Sequence, residues 1–291
     1  MWCETLAFEE LPAALPLLVR HRVDLLLAVR PWQLGEIAEV VRRARGEGVF
    51  VAVWPMLADE DGRWANARSC DKYIAFVDQL LAVVPEADEL AIDLEPPFDE
   101  LERLIRRGRG VGSAATPAPA LCSGLGPARL PSLSFRSARD DLATATRRWH
   151  ASLRITTAVI PFLAFERGGA WMQRFLGTPV TALDVDRHSA MAYTSLLEGW
   201  SRGVLDRRRA EAVFTRCAVA AKARFGERAA LSLGCVGAGA FGSEPAYRDP
   251  SELARDVALA RAAGIEELAL FDLGGVMRRP PPEAWFDALS G

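Results

Sequence analysis

The chain has few of the residues that most often carry hydrolytic or covalent chemistry. It holds three histidines and two lysines in 291 residues. His21, His150 and His188 are scattered and fall outside the expected strand ends, so the clustered histidines of a zinc hydrolase are missing. Lys72 and Lys222 lie before or within expected helices, which argues against the strand-end lysine of a Schiff-base aldolase. No metal and no cofactor is expected. The five cysteines, Cys3, Cys70, Cys122, Cys217 and Cys235, are odd in number and form no C-x-x-C pair. They suit reduced thiols in a cytoplasmic protein. No apolar run approaches ~18 residues, so no membrane-spanning helix is expected. No basic region followed by an apolar stretch opens the chain, so no signal peptide is expected either. A net charge of −3 gives no electrostatic case for nucleic acid or an acidic membrane surface.

What is present is an alternation of strands and helices. With 50% hydrophobic and 25% charged residues, the chain has the composition of a globular protein with a large core. Strands are expected from Met1 to about Glu4, Val23 to Arg30, Val49 to Trp54, Glu89 to Glu95, Ile155 to Phe162, Ser189 to Tyr193, Ala230 to Val236 and Glu267 to Asp272. Helical spacing separates them, as at Leu34, Ile37, Val41 and Ala44, or at Ile74, Val77, Leu81 and Val84. Asp249-Pro250-Ser251-Glu252 opens a helix with an N-cap acid, proline at the first helical position and glutamate at the third.

Eight strand-then-helix units in this length predict a single-domain α/β protein over residues 1–291, a (β/α)8 TIM barrel. An open doubly wound sheet is the alternative if the first or fifth unit is miscounted. Strand one starts so abruptly that a residue or two of it is expected upstream of Met1. Residues 108–136, from Gly108 to Arg136, are rich in Gly, Ala, Pro and Ser. They read as a flexible, low-complexity insertion within the fourth helical segment.

The fourth strand carries the strongest chemical signal. Leu90, Ile92 and Leu94 alternate with Ala91, Asp93 and Glu95, and Pro96-Pro97 stops the strand. Two carboxylates thus share one face at the C-terminal end of a strand, where a barrel keeps its active site. The same parity turns other residues toward that mouth. Strand one offers Glu4, strand two Arg30 and strand three Ala52 and Trp54. Strand six offers Ser189, Met191 and Tyr193, and strand eight Leu268, Leu270 and Asp272. Asp272 paired with Arg30 as a barrel-end salt bridge is the plain structural alternative. Adjacent like charges such as Asp93 and Glu95 raise a pKa and are seldom kept for stability alone.

Asp88-x-x-Ala91-x-Asp93-x-Glu95 resembles the strand-four signature D-x-x-D-x-D-x-E of glycoside hydrolase family 18, the chitinase-like barrels. Met191-Ala192-Tyr193 is similar to that family's strand-six M-x-Y. The resemblance implies a glycosidase. Glu95 would be the general acid, Asp93 would orient and stabilise a substrate N-acetyl group, and Tyr193 would hold the acetyl carbonyl. Glu4, Arg30, Trp54, Met191 and Asp272 would meet a carbohydrate or other small molecule. The chain departs from the pattern at Ala91, at Thr194 where aspartate is common, and in lacking a tryptophan at the end of strand eight.

Two other readings stay open. Gly234, Gly237, Gly239 and Gly242 follow strand seven, and Gly274-Gly275 follow strand eight, where barrels often bind phosphate. That suits a phosphosugar isomerase or lyase. Trp2, Trp32, Trp54 and Trp200 could equally serve a non-catalytic carbohydrate-binding barrel.

Overall fold

A computed structural model describes residues 1–103, 132–201, 203–239 and 241–291. Eight parallel strands follow one another around the sheet in sequence order. They are β1 (Trp2–Cys3), β2 (Leu25–Val29), β3 (Val51–Pro55), β4 (Glu89–Leu94), β5 (Arg154–Val159), β6 (Arg187–Met191), β7 (Ala229–Gly234) and β8 (Glu267–Phe271). The helices that follow them are α1 (Leu15–His21), α2 (Ile37–Gly46), α3 (Cys70–Val83), α4 (Ser132–His150), α5 (Trp171–Leu176), α6 (Thr194–Trp200), α7 (Arg207–Phe225), α8 (Pro250–Ala262), α9 (Leu273–Met277) and α10 (Glu283–Ser290). Residues 98–103 are also helical. The chain is a single (β/α)8 barrel.

The strands sort their side chains by parity. Leu25, Leu27, Val29, Val51, Val53, Leu90, Ile92 and Leu94 face outward into the layer shared with the helices. Leu26, Ala28, Ala52, Trp54, Ala91 and Ala158 face inward. Each fully buried aliphatic side chain in the outer layer is worth about 1.5–3 kcal/mol of transfer free energy, so this layer holds the helices on the barrel. Inside, small residues on β2 to β5 leave room for two tryptophans. Trp2 and Trp54 meet edge to face at 4.7 Å between ring centres. The indole N–H of Trp2 donates to Ser232 Oγ at 2.8 Å, and Ser189 Oγ lies 2.8 Å from the same hydroxyl. A buried indole needs such a partner.

Helix boundaries follow local chemistry. Asp249 caps α8 by accepting from Ser251 N, as its sequence position predicts. Glu252, expected to complete a capping box, instead accepts from Arg248 N at 2.8 Å. Two short helices, α6 and α9, are not visible in the spacing of apolar residues. Helix α4 begins at Ser132, so residues 132–136 of the expected insertion are helical. Residues 108–131 of that stretch lie outside the described residues.

The seam of the barrel is at β1, which is only two residues long and pairs with β2. Among the described residues no ladder joins β8 to β1. Asp272, directly after β8, bridges the gap. Its carboxylate accepts from Glu4 N at 3.3 Å, from Thr5 N at 3.0 Å and from the Thr5 hydroxyl at 2.9 Å. It also caps α9 through Gly275 N at 2.8 Å. Asp272→Ala leaves one buried donor, Gly275 N, and three part-buried ones unpaired at once, where a fully buried unpaired donor costs about 1–3 kcal/mol. We expect the variant to lose about 2–4 kcal/mol of stability by urea denaturation. A loss below about 0.5 kcal/mol would show that another contact closes the seam.

Candidate active site

Three carboxylates meet at the C-terminal ends of the strands. β4 ends at Leu94, and Pro96 and Pro97 hold the chain beyond it away from further pairing. Asp93 is 2% exposed, and its backbone carbonyl accepts from Ala65 N at 2.9 Å. Glu95, the next residue of the same parity, keeps some exposed surface. The bond to Ala65 ties the loop after β3 to the end of β4. That loop is shaped by Asn66, whose Oδ1 accepts from Arg68 N at 3.0 Å and Ser69 N at 3.1 Å. It carries Arg63, in the left-handed region at φ 59° and 6% exposed.

Arg63 is the fixed cation of the site. Its Nε and Nη2 hold Asp59 at 2.7 and 2.9 Å, and its Nη1 donates to Glu4 Oε1 at 3.2 Å. Its guanidinium carbon sits 4.4 Å from the centre of the Phe98 ring. Arg30 approaches Glu4 more loosely at 3.9 Å and also pairs with Asp59 at 3.2 Å.

Burial dominates the proton affinities. It pushes Glu4 up to about 7, although Arg63 and Arg30 pull the other way. Glu95 rises to about 8, through burial first and Glu4 second, with Arg63 opposing. Asp93 is raised well above the ordinary carboxylate range by burial, then by Glu95 and Glu4. Two neighbouring like charges in a largely buried site do not both ionise readily, so the Asp93–Glu95 pair keeps a proton at neutral pH. Among the described residues, Asp93 Oδ1 and the Trp54 indole nitrogen are buried without a hydrogen-bond partner.

Tyr193 lies just beyond β6, at the N-cap of α6. Its ring packs 6.0 Å from Phe271 and it belongs to the same interior cluster as Trp54 and Met191. Burial raises its phenol well above the usual range, with Cys235, Asp93, Glu95 and Glu4 adding to the rise. The next residue, Thr194, faces away from these carboxylates into a second network. Its hydroxyl donates to Asp256 and accepts from Arg207 at 3.0 Å. Arg207 and the Tyr247 hydroxyl reach Asp256 at 2.6 and 2.7 Å. Ser195 fastens the same turn to β7, donating to Gly234 O at 2.9 Å and accepting from Cys235 N at 2.7 Å. Tyr193 is thus held from behind by groups that take no part in the site.

Of the residues singled out by sequence, the structure brings Glu4, Arg30, Trp54, Asp93, Glu95, Met191 and Tyr193 to this end of the barrel. Asp272 is different. It has no exposed surface, and its carboxylate is occupied by the seam and by α9. The inward residues of β8 are Ala269 and Phe271, and Leu270 belongs to the outer layer, so the expected parity is reversed. Spacing left no signal for Arg63, Phe98, Phe241 or Phe271. Only the paired acids beside them hinted that a buried cation was needed.

The glycines after β7 and β8 pack on each other. A Cβ at Gly237 would stand 2.7 Å from Gly275 Cα, and one at Gly275 would stand 2.5 Å from Gly237 N. Their size therefore serves backbone contact. Among the described residues, three of the loop amides open to a phosphate are already taken: Gly275 N by Asp272, and Gly239 N and Phe241 N by Glu244.

No protein-family model matches the chain, and no curated protein matches it. Solved structures do. The chain resembles the PgaB (BpsB) glycoside hydrolase domain of Bordetella bronchiseptica with a TM-score of 0.58 at 12% identity, over 97% of this chain and 94% of that one. It also resembles a mutant class V chitinase from Nicotiana tobaccum in complex with NAG4. There the TM-score is 0.50 at 12% identity, over 99% and 97% of the two chains. At such identity the likeness is one of fold. Among the described residues no helix is long and apolar enough to cross a membrane.

The raised carboxylates set a pH dependence of stability. The folded state binds protons at Glu4 and Glu95 more tightly than the unfolded chain does. Their contribution is therefore complete below about pH 4.5 and is lost as pH rises through about 7 and about 8. We expect Tm to fall across that window, and Glu95→Gln to fall less than the native chain. Coincident profiles by calorimetry would mean that Glu95 is ionised in the folded protein.

Proposed function

We propose that the chain is a glycoside hydrolase whose proton donor is Glu95. The observation that carries this reading is the Asp93–Glu95 pair at the end of β4, with Glu95 raised to about 8 so that it is protonated at neutral pH. A general acid must hold its proton at working pH and release it as the leaving oxygen gains charge. Glu95 donates to the glycosidic oxygen as the bond from the anomeric carbon breaks. In the substrate-assisted version, the acetamido oxygen of the sugar forms the new bond to that carbon. Asp93, through its unpartnered oxygen, then orients the acetamido N–H and balances the charge it gains. Tyr193, fixed by the Thr194–Asp256–Arg207 network, supplies a phenol to the acetyl carbonyl. Water then attacks the anomeric carbon, the bond to the acetamido oxygen breaks, and Glu95 takes up the proton that the water gives up. Trp54, Phe271 and Met191 give the sugar an apolar floor, in place of the tryptophan absent from the end of β8. Glu4 and Arg30 border the polar side.

The fold similarity to glycoside hydrolases supports this reading at the level of architecture. The phosphosugar alternative loses support because three of the described loop amides after β7 and β8 are bonded to Asp272 and Glu244. A purely binding barrel gives no reason for a protonated Glu95 beside Asp93. We place the protein in the cytoplasm, on its four buried unpaired cysteines among the described residues, Cys3, Cys70, Cys217 and Cys235.

Glu95→Gln keeps the shape and removes the transferable proton. Across a panel of aryl and oligomeric glycosides, we expect turnover to fall by at least ~10²-fold with substrate binding retained. Aryl glycosides with good leaving groups need less protonation and should be cleaved best by the variant. Turnover at the native rate would overturn the assignment of Glu95. Asp93→Asn removes the neighbouring negative charge, so the basic limb of the rate profile should move to lower pH.

A further inference from the structure

Two phenylalanines from separate strand ends meet above the barrel interior. Phe98 follows β4 and Phe241 follows β7, three strands further around the sheet. Their rings are parallel within 4°, with centres 5.2 Å apart. Trp64, from the loop after β3, leans on Phe98 at 5.6 Å, and the Arg63 guanidinium covers Phe98 at 4.4 Å. Phe241 is held from its own loop, where Glu244 accepts from Phe241 N at 2.6 Å and from Gly239 N at 3.0 Å. Both phenylalanines join the interior cluster that contains Trp54, Tyr193 and Phe271, yet each keeps some exposed surface. That is the position of a roof, apolar on its inner side and wet on its outer side. Trp54 belongs to the cluster beneath the stack, and its N–H and Asp93 Oδ1 are both buried and unpartnered.

A polymer bound across a barrel mouth needs an open groove between the loops on either side. Here the β4 and β7 sides touch. We propose that the Phe98–Phe241 stack closes the mouth into a pocket, so that the site takes a small glycoside or the end of a saccharide chain and not the middle of a polymer. This rests on the glycosidase reading for its substrate class, and on ring geometry alone for the closure. Phe98 is bound to Arg63 and Trp64 and is the fixed half of the stack. Phe241 lies on a glycine-rich loop and is the half that a ligand displaces or passes.

Two measurements separate the closure from the substrate class. The first needs no substrate. Phe241→Ala admits more water to Glu95, which already keeps some exposed surface and whose affinity for its proton depends on burial and on Glu4 and Arg63 around it. The fall in Tm between pH 5 and pH 9 should flatten in Phe241→Ala, and less so in Phe241→Leu, which retains bulk. Unchanged slopes in both folded variants would overturn the roof. The second uses Glu95→Gln, titrated calorimetrically with N-acetylglucosamine and with chitotetraose. With Phe241 present, the two should bind within about threefold, because one sugar fills the pocket. Adding Phe241→Ala or Phe241→Leu should favour the tetrasaccharide by tenfold or more. A tetrasaccharide already bound more than tenfold tighter with Phe241 in place would overturn the pocket. If the slope flattens and neither sugar nor any aryl glycoside binds, the closure stands, and the glycoside reading falls together with the substrate class drawn from it.

Discussion

The grip of Asp272 on the segment after β1 sets the geometry of the whole mouth. β1 has too few residues to be fixed by pairing alone, and its neighbour on the far side offers no ladder among the described residues. One carboxylate supplies the missing acceptors, taking Glu4 N, Thr5 N and the Thr5 hydroxyl while it caps α9. Glu4 is thereby set where its side chain can meet Arg63. Arg63 in turn is gripped by Asp59 and laid against Phe98. A structural acid thus sits at the root of the electrostatics of the candidate site without taking part in its chemistry.

The site is acidic and largely buried, and those two properties reinforce each other. Burial alone disfavours the charged form of each carboxylate, and each further carboxylate raises the others. The Arg63 guanidinium, joined at Glu4 by Arg30, offsets part of this and keeps Glu4 and Glu95 near the range where a proton can be exchanged at neutral pH. Without Arg63, the three acids would hold their protons more firmly. Without Glu4, Arg63 Nη1 would lose its carboxylate and Asp59 alone would balance a buried cation, which is costly. The aromatic groups follow from the same requirement, because rings exclude water and add a favourable face to the guanidinium.

Much of the fold was legible in the residue pattern. Alternating strand and helix periodicities pointed to eight units and hence the barrel, although α6 and α9 were too short to leave a periodic trace. Tyr193, expected as the last residue of a strand, instead begins a helix, because Thr194 and Ser195 find buried partners there. Loop residues such as Arg63 carried no local signal. Their importance comes from contacts with residues far away in sequence.

The order of residues was enough to put Asp93 and Glu95 on the inward face with Ala91. A strand has a period of two, and β4 shows aliphatic residues on one face only. That order could not assign the face of β8. There Leu268, Ala269, Leu270 and Phe271 are apolar on both faces, and a strand buried on both sides carries no alternation to read. Packing in three dimensions turned Phe271 inward and committed Asp272 to the seam. It also brought Phe98 against Phe241 and set one arginine among the acids. Each of those facts depends on which strand ends become neighbours when the barrel closes, a distance in space that no local spacing encodes.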